Sequence, residues 1–222
     1  MLLPVRLLRL LPAPRGLSHR PLPQRREALA PRELAPYVTP YSSFRSGDAF
    51  CMCPEGQSAG TIDVSLPTGD VFGGDVEVPE TLEVHRAIYR GNKKVNAIVH
   101  SQKPDVIRTS KSGAKKMLPY LDDFAQIAGI NLRGARFSPG NQLESAQLVR
   151  KGLKGRSAVL LEDNGALCVG SSMEEARAVE IVTDKNCAVS LSADLFEKVK
   201  HIGVIDAALM RFIYVQKYSK KK

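Results

Sequence analysis

The sequence predicts an α/β fold in which helices cover a mixed β-sheet. Segments with the two-residue period of strands alternate with segments that have the 3.6-residue period of helices. Hairpin signals occur between several of the strands, which argues against a purely parallel sheet. The chain has 222 residues, of which 43% are hydrophobic, and this is enough to bury one good core.

The first hairpin is predicted from GTIDVSLPTGDVFGG. Ile62, Val64 and Leu66 alternate with smaller or polar residues, and the chain then turns at residues 67–70. This pattern indicates two antiparallel strands between residues 60 and 74.

Two later segments predict buried strands. VNAIVHS, residues 95–101, is an apolar run that ends near His100. SAVLLEDNGALCVGSS consists of two apolar runs around Asn164-Gly165, a pair that strongly favours a tight hairpin turn.

A helix is predicted for PETLEVHRAIYRG. Pro79 opens the segment, Leu82, His85 and Tyr89 recur at helical spacing, and Gly91 ends it. In this arrangement His85 is expected to be a core histidine.

Three further helices are predicted, at residues 118–129, at 141–155 and from Ser171 to about Phe196. The third begins at SSME, residues 171–174, which we interpret as a capping box. RFIYVQKY near the C-terminus is rich in β-branched and aromatic residues and predicts a strand.

Composition divides the chain into four parts. Residues 1–26 are rich in Leu and Arg and contain no acidic residue, which is typical of a mitochondrial transit peptide, with a basic arm as the alternative. Residues 27–50 are rich in Pro and Ser and predict an extended linker. The folded domain is expected at 51–216, followed by a basic tail at 217–222.

The net charge of +9 is confined to the two ends of the chain. Residues 1–26 hold six arginines, and without these and the last three lysines the net charge is zero. A fold that binds nucleic acid normally carries a basic face of its own, so the composition gives no general support for this role. No apolar run is long enough for a membrane-spanning helix.

The four cysteines predict free thiols in a reducing compartment. Cys51 and Cys53 are too close in sequence for the usual zinc spacing, and Cys168 and Cys187 form no second pair.

Residues 51–196 resemble the class II aldolase/adducin head family. The likeness rests on four stretches in the family's order: SAGTIDVSL, PETLEVHRAIYRGNKKVNAIVHS, GRSAVLLEDNGALCVGSSMEEA and EEARAVEIVTDKNCAV. The resemblance implies a three-layer α/β/α sandwich with a central, mostly antiparallel mixed sheet. It also implies that a homo-oligomer is possible, since members often form rings of four.

The resemblance further implies a divalent metal, held by three histidines, that stabilises an enediolate during carbon–carbon cleavage. The positions that match the metal ligands read His100, Gln102 and Asn164, so one imidazole remains. Amide oxygens bind a borderline-soft ion such as zinc poorly. We therefore predict that no metal is bound and that His100 is structural, with a zinc site as the alternative.

The position that matches the family's general acid/base reads Thr81 instead of glutamate. A shift of one residue at the start of the helix would bring Glu80 there instead. We therefore predict no catalytic residue at either position.

Several basic residues are candidates for contact with RNA or an acidic neighbour. They are Arg6, Arg9, Arg25, Arg26, Lys111, Lys115, Lys116, Lys220, Lys221 and Lys222.

The favoured hypothesis is a catalytically inactive, class II aldolase-like subunit or assembly factor of a complex in the mitochondrial matrix, such as the ribosome, a respiratory complex or the ATP synthase. Its partners would be other protein subunits, with possible RNA contact through the basic ends. One alternative is a metal-dependent sugar-phosphate aldolase with a rearranged site. Another is an RNA-binding protein, although few aromatic side chains accompany the lysines.

Overall fold

The structure is a computed structural model, and it describes residues 38–57, 60–73, 77–193, 195–196 and 199–217. The predicted transit peptide and the lysines at 220–222 lie outside these residues.

The described residues form nine strands and six α-helices. The strands are β1 (Tyr41–Ser46), β2 (Ala49–Pro54), β3 (Ile62–Ser65), β4 (Val71–Phe72), β5 (Ala97–Ser101), β6 (Lys116–Met117), β7 (Leu132–Ala135), β8 (Ala158–Leu161) and β9 (Gly165–Gly170). The helices are α1 (Leu82–Gly91), α2 (Pro104–Lys111), α3 (Asp122–Ile127), α4 (Gln142–Leu153), α5 (Met173–Ala193) and α6 (Val204–Lys217), and a short 3-10 turn lies at Pro139–Asn141.

All nine strands belong to one sheet, in the order β4-β3-β2-β1-β5-β9-β8-β7-β6. Neighbouring strands are antiparallel except β7 and β8, which are parallel. Helix α4 makes the crossover that a parallel pair requires. The mostly antiparallel mixed sheet is therefore confirmed.

The two faces of the sheet are covered by different helices. Along β5, Ile98 packs in a cluster with residues of α1 and α4, whereas Ala97 and Val99 pack in a second cluster with residues of α2, α3 and α5. Alternate side chains of β8 and β9 divide in the same way, as the pleat of a strand requires. The three-layer sandwich is therefore confirmed.

Residues 41–50, which the sequence assigned to a linker, lie in the sheet. Strand β1 pairs with β2 on one side and with β5 on the other, and Ser46 faces Ala49 across a two-residue turn. The first residue of this turn, Gly47, has a φ of 59°, the positive value that such a turn needs. The Pro- and Ser-rich surroundings obscured this hairpin.

The C-terminal segment is a helix, although its composition predicted a strand. Ala207 and Arg211, one turn apart, face the core: Ala207 is buried, and Arg211 donates hydrogen bonds to the backbone carbonyls of Gln126 and Ile127 at 2.7 and 2.5 Å. Packing against α3 therefore decides the structure here over intrinsic propensity.

Two smaller differences concern the other helices. Helix α2 was not predicted, because Lys and Ser residues hide its short apolar face. The cap of α5 is one residue later than the sequence indicated: the hydroxyl of Ser172 accepts from the backbone N–H of Glu175, and the Glu175 carboxylate accepts from the backbone N–H of Ser171. This helix ends at Ala193.

None of the helices in the described part of the chain combines the length and the hydrophobicity that a membrane-spanning helix requires.

Candidate functional site

The three positions that the resemblance matched to metal ligands meet at one edge of the sheet. His100 lies in β5 and Gln102 directly follows that strand, while Asn164 lies in the turn between β8 and β9. Because β5 and β9 are antiparallel, with Ser101 opposite Ala166, the end of β5 lies beside this turn.

Gly165 allows this close approach. A Cβ atom at residue 165 would lie 2.1 Å from the backbone oxygen of Ser101, and the residue has a φ of +87°. Only glycine satisfies both conditions without strain. The turn therefore lies directly against the end of β5.

His100 is buried and is bonded to protein groups. Its Nε2 atom lies 2.8 Å from the backbone oxygen of Asn164, and its backbone N–H donates to the hydroxyl of Ser42 at 3.3 Å. Since a carbonyl oxygen only accepts, Nε2 carries the ring proton. Burial lowers the pKa of His100 to about 4, so the imidazole is neutral at pH 7.

The two carboxamides hold one backbone unit, that of Val38. The side-chain nitrogen of Gln102 donates to the carbonyl of Val38 at 2.8 Å, and the side-chain oxygen of Asn164 accepts from the N–H of Val38 at 3.2 Å. Asn164 also donates through its side-chain nitrogen to the carbonyl of Glu162 at 2.9 Å. We call the pair of bonds to Val38 the Val38 clamp.

This donor set does not fit a zinc ion held by three imidazoles. The Nε2 atom of His100 is protonated and faces a carbonyl, and the amide oxygen of Asn164 is already bonded. Among the described residues, no group of three or more His, Cys, Asp or Glu side chains lies close enough together to hold a metal ion.

The position that matches the family's acid/base is occupied by a buried threonine. Thr81 precedes α1, and its carbonyl accepts from the backbone N–H of His85 at 3.0 Å. Its hydroxyl has no hydrogen-bond partner among the described residues. Glu80, the alternative at this position, is exposed.

His85 belongs to a buried polar cluster that links α1 to β1. Its Nδ1 atom and the hydroxyl of Tyr89 each lie 2.8 Å from the hydroxyl of Ser43. Burial, and secondarily the charge of His100, lower the pKa of His85 to about 3. His85 is therefore a neutral core histidine, as expected.

The basic candidates divide by position. Arg6, Arg9, Arg25, Arg26, Lys220, Lys221 and Lys222 lie outside the described residues. Lys115 and Lys116 are exposed and flank the start of β6, while Lys111 is half-buried at the end of α2.

Sequence reasoning missed Val38, Ser42 and Ser43, which come from the segment assigned to a linker. The Gly47-Asp48 pair between β1 and β2 is a hairpin signal that could have located the strand carrying the two serines. No local signal marks Val38, because its partners lie 64 and 126 positions further along the chain.

Sequence comparison connects this arrangement with known proteins. The profile of a family described as Class II Aldolase and Adducin N-terminal domain matches residues 36–191. A 5-deoxy-D-ribulose 1-phosphate aldolase from Bacillus thuringiensis serovar kurstaki is 25% identical over 135 residues, which are 61% of this chain and 60% of that protein. The alignment thus spans less than two thirds of the relative's length.

Solved structures show the same fold. An L-fuculose 1-phosphate aldolase superposes with a TM-score of 0.72 and 18% identity over 80% of this chain and 86% of that chain. An L-fuculose-1-phosphate aldolase from Thermus thermophilus gives a TM-score of 0.60 and 19% identity over 73% of this chain and 87% of that chain. Helix α6 lies beyond the region that the family profile matches.

Proposed function

We propose that this chain, which belongs to the class II aldolase and adducin N-terminal domain family, keeps the family's fold without its metal-dependent chemistry and serves as a protein-binding subunit of a mitochondrial complex. The proposal has two parts, loss of catalysis and a binding role, and each has its own support and its own experiment.

The Val38 clamp is the observation that carries the first part. Lewis-acid catalysis needs a metal with open coordination positions where the substrate binds. Here the two positions that lack histidine bind the chain's own backbone, through Gln102 on one side and Asn164 on the other. A substrate oxygen would have to displace Val38, and a metal would have to displace it as well.

The chemistry of the remaining groups supports the same conclusion. Loss of outer-shell partners alone typically weakens metal binding by about 10–100-fold, and loss of two ligands should weaken it further. At the acid/base position, Thr81 has no group that titrates near neutral pH. The matched positions thus supply one imidazole and a hydroxyl, where the family resemblance implies three imidazoles and a carboxylate.

The first experiment measures zinc and aldol cleavage together. Full-length protein, purified without chelators, is analysed for metals by mass spectrometry and assayed for cleavage of L-fuculose 1-phosphate and 5-deoxy-D-ribulose 1-phosphate, the sugar phosphates named for the two relatives. We expect substoichiometric metal and no turnover above buffer. Stoichiometric zinc with turnover that a chelator abolishes would instead establish the alternative, a sugar-phosphate aldolase with a rearranged site.

An exposed apolar stripe on α6 supports the binding role. Ile205, Leu209 and Phe212 recur at helical spacing and are 85%, 57% and 61% exposed. Contiguous exposed apolar surface commonly marks a site of protein–protein interaction. Because Ala207 and Arg211 fix the opposite side of α6 to the domain, the stripe is presented outward.

Within the proposed binding role, the mitochondrial location rests on the Arg-rich, acid-free composition of residues 1–26. The second experiment fractionates mitochondria by size. We expect the protein at a mass far above its own 24.3 kDa, and a shift toward lower mass for a variant with Ile205→Ser and Phe212→Ser. Recovery at the monomer mass, or at the mass of a small homo-oligomer alone, would contradict a role in a larger complex.

A further inference from the structure

A groove near the side of the sheet that carries β7 and β6 has the features of a ligand site. It has a volume of about 540 Å³ and lies between α4, β7 and the segment that leads into β6. This volume is within the range of about 300–1,000 Å³ that is typical of small-molecule sites. The residues of the Val38 clamp do not line this groove, although Glu162, which does, accepts a hydrogen bond from Asn164 through its carbonyl. The following argument uses none of the clamp residues and does not depend on the proposed function.

Four cationic side chains line this groove, and they come from three different segments. They are Lys115, Arg133, Arg136 and Lys151. None of the four forms an ion pair with any residue that the structure describes. Elsewhere in the fold, by contrast, Arg86, Arg108 and Arg177 each have an acidic partner.

Two carboxylates also line the groove and do not neutralise it. Glu144 accepts a hydrogen bond from the side-chain nitrogen of Asn141 at 2.8 Å, and Glu162 follows β8 at one end of the groove. Four cations against two carboxylates leave the lining with an excess of two positive charges.

The walls of the groove are tightly packed. A Cβ at Gly134 would lie 2.7 Å from the backbone oxygen of Ala114, and one at Gly152 would lie 2.6 Å from a methyl carbon of Val159. The loop before β6 is therefore in direct contact with β7, and α4 is in direct contact with β8. These contacts fix the backbone around the groove before a ligand arrives, which reduces the entropy lost on binding.

Because the four cations have no acidic partner among the described residues, they are available to an anion. Arginine is the side chain best suited to a phosphate group, because its planar guanidinium donates two parallel hydrogen bonds.

We infer that this groove binds a small molecule that carries one or more phosphate groups. The glycine and aliphatic part of the lining, which includes the half-buried Leu148, suits a compact non-polar body attached to the phosphate. A nucleic-acid strand is the less suitable ligand, because none of the described lining residues is an aromatic side chain on which a base could stack.

Calorimetric titration of the full-length chain with pyrophosphate at low ionic strength tests this inference. We expect one saturable site per chain. Arg133→Gln and Lys151→Gln should each weaken binding by about tenfold, since a hydrogen bond to a charged group contributes on the order of that factor. Arg150→Gln is the control for Arg133→Gln, because Arg150 lies on α4 and lines a neighbouring groove instead of this one. Lys151 lines both grooves, so the comparison of Arg133 with Arg150 is the one that distinguishes them. Arg150→Gln should leave the affinity unchanged.

Thermal unfolding of each variant confirms that it is folded before its affinity is interpreted. The inference is overturned if pyrophosphate shows no saturable binding, or if Arg150→Gln weakens binding as much as Arg133→Gln does. It is also overturned in favour of a nucleic-acid surface if a short single-stranded RNA binds tightly, Arg133→Gln weakens that binding, and excess pyrophosphate does not displace the RNA.

Discussion

The imidazole of His100 bonds to the main chain of Asn164, with 2.8 Å between Nε2 and the carbonyl oxygen. Both residues stand at positions that the family resemblance matched to metal ligands, and here they bind each other instead. The proton on Nε2 prevents that nitrogen from ligating a metal. The other ring nitrogen of His100 has no hydrogen-bond partner among the described residues.

Asn164→Ala should destabilise the fold by about 1–3 kcal/mol, because it leaves the backbone N–H of Val38 and the carbonyl of Glu162 without partners. Chemical denaturation measures the free energy of unfolding, and hydrogen exchange reports on the Val38 amide, which should exchange faster. Asn92→Ala is the control, since that side chain is exposed and its one partner among the described residues is the backbone N–H of Lys94. If both substitutions lowered the free energy of unfolding equally, the Val38 clamp would contribute no more to stability than an exposed hydrogen bond does.

Restoring imidazoles at both carboxamide positions should restore zinc binding. In the double variant Gln102→His and Asn164→His, three histidines meet at the end of β5. We expect this variant to retain zinc through dialysis where the natural sequence does not, with some loss of stability as Val38 is released. The control carries Ala at both positions. A folded double-histidine variant with no more zinc than the control would show that these positions do not converge on a metal.

Acid should destabilise the protein through its two buried histidines. Burial lowers the folded-state pKa to about 3 for His85 and to about 4 for His100, against an ordinary value of 6.5. Below pH 6.5 the unfolded state therefore binds more protons than the folded state. The stability that the two neutral histidines contribute is fully present above pH 6.5 and is lost as the pH falls toward 4. The slope should approach about 1.4 kcal/mol per pH unit for each imidazole.

Denaturation curves between pH 7 and 5 measure this slope before most carboxylates titrate. His100→Gln should remove about half of this slope. His201→Gln, at an exposed position, is the control for the replacement of a histidine as such. A slope that the His100 substitution leaves intact would mean that other groups determine the acid sensitivity.

Alanine at Gly165 should be among the most damaging single substitutions. Positive φ costs a non-glycine residue about 1–2 kcal/mol, and the overlap with the oxygen of Ser101 adds a comparable amount, for about 3 kcal/mol in total. Gly155→Ala separates the two effects, since Gly155 also has positive φ, at +75°, but has open space around it. Its cost should stay near 1 kcal/mol in the same denaturation assay, and a similar cost at both glycines would disprove the steric contribution.

Local sequence patterns predicted the part of the fold that depends on local contacts. The β8–β9 and β3–β4 hairpins were found because turn residues mark them, and α1 was found because Pro79 and Gly91 mark its ends. Helix α6 was mistaken for a strand because β-branched and aromatic residues favour strands, and its helical form depends on contacts of Arg211 with α3 and with Ser157.

The sequence predicted which positions form the candidate site, but it did not predict that the backbone of Val38 binds there. His100, Gln102 and Asn164 were identified together through the resemblance, and the sheet register brings them to one edge. The partner of the two carboxamides comes from a segment with no strand or helix pattern of its own. Hydrogen bonds between a side chain and a distant backbone leave no periodic signal, so only the folded structure reveals them.

The position of β1 between β2 and β5 has a consequence for any ligand that competes for the end of β5 near His100. Only two residues separate Val38 from Tyr41, where this strand begins, so the backbone group that occupies the two carboxamides is tethered to the middle of the sheet. Its effective concentration there is at least millimolar, as for any group on a short linker. To displace the Val38 backbone, a diffusible molecule present at micromolar levels must therefore bind the side chains of Gln102 and Asn164 much more tightly than that backbone does.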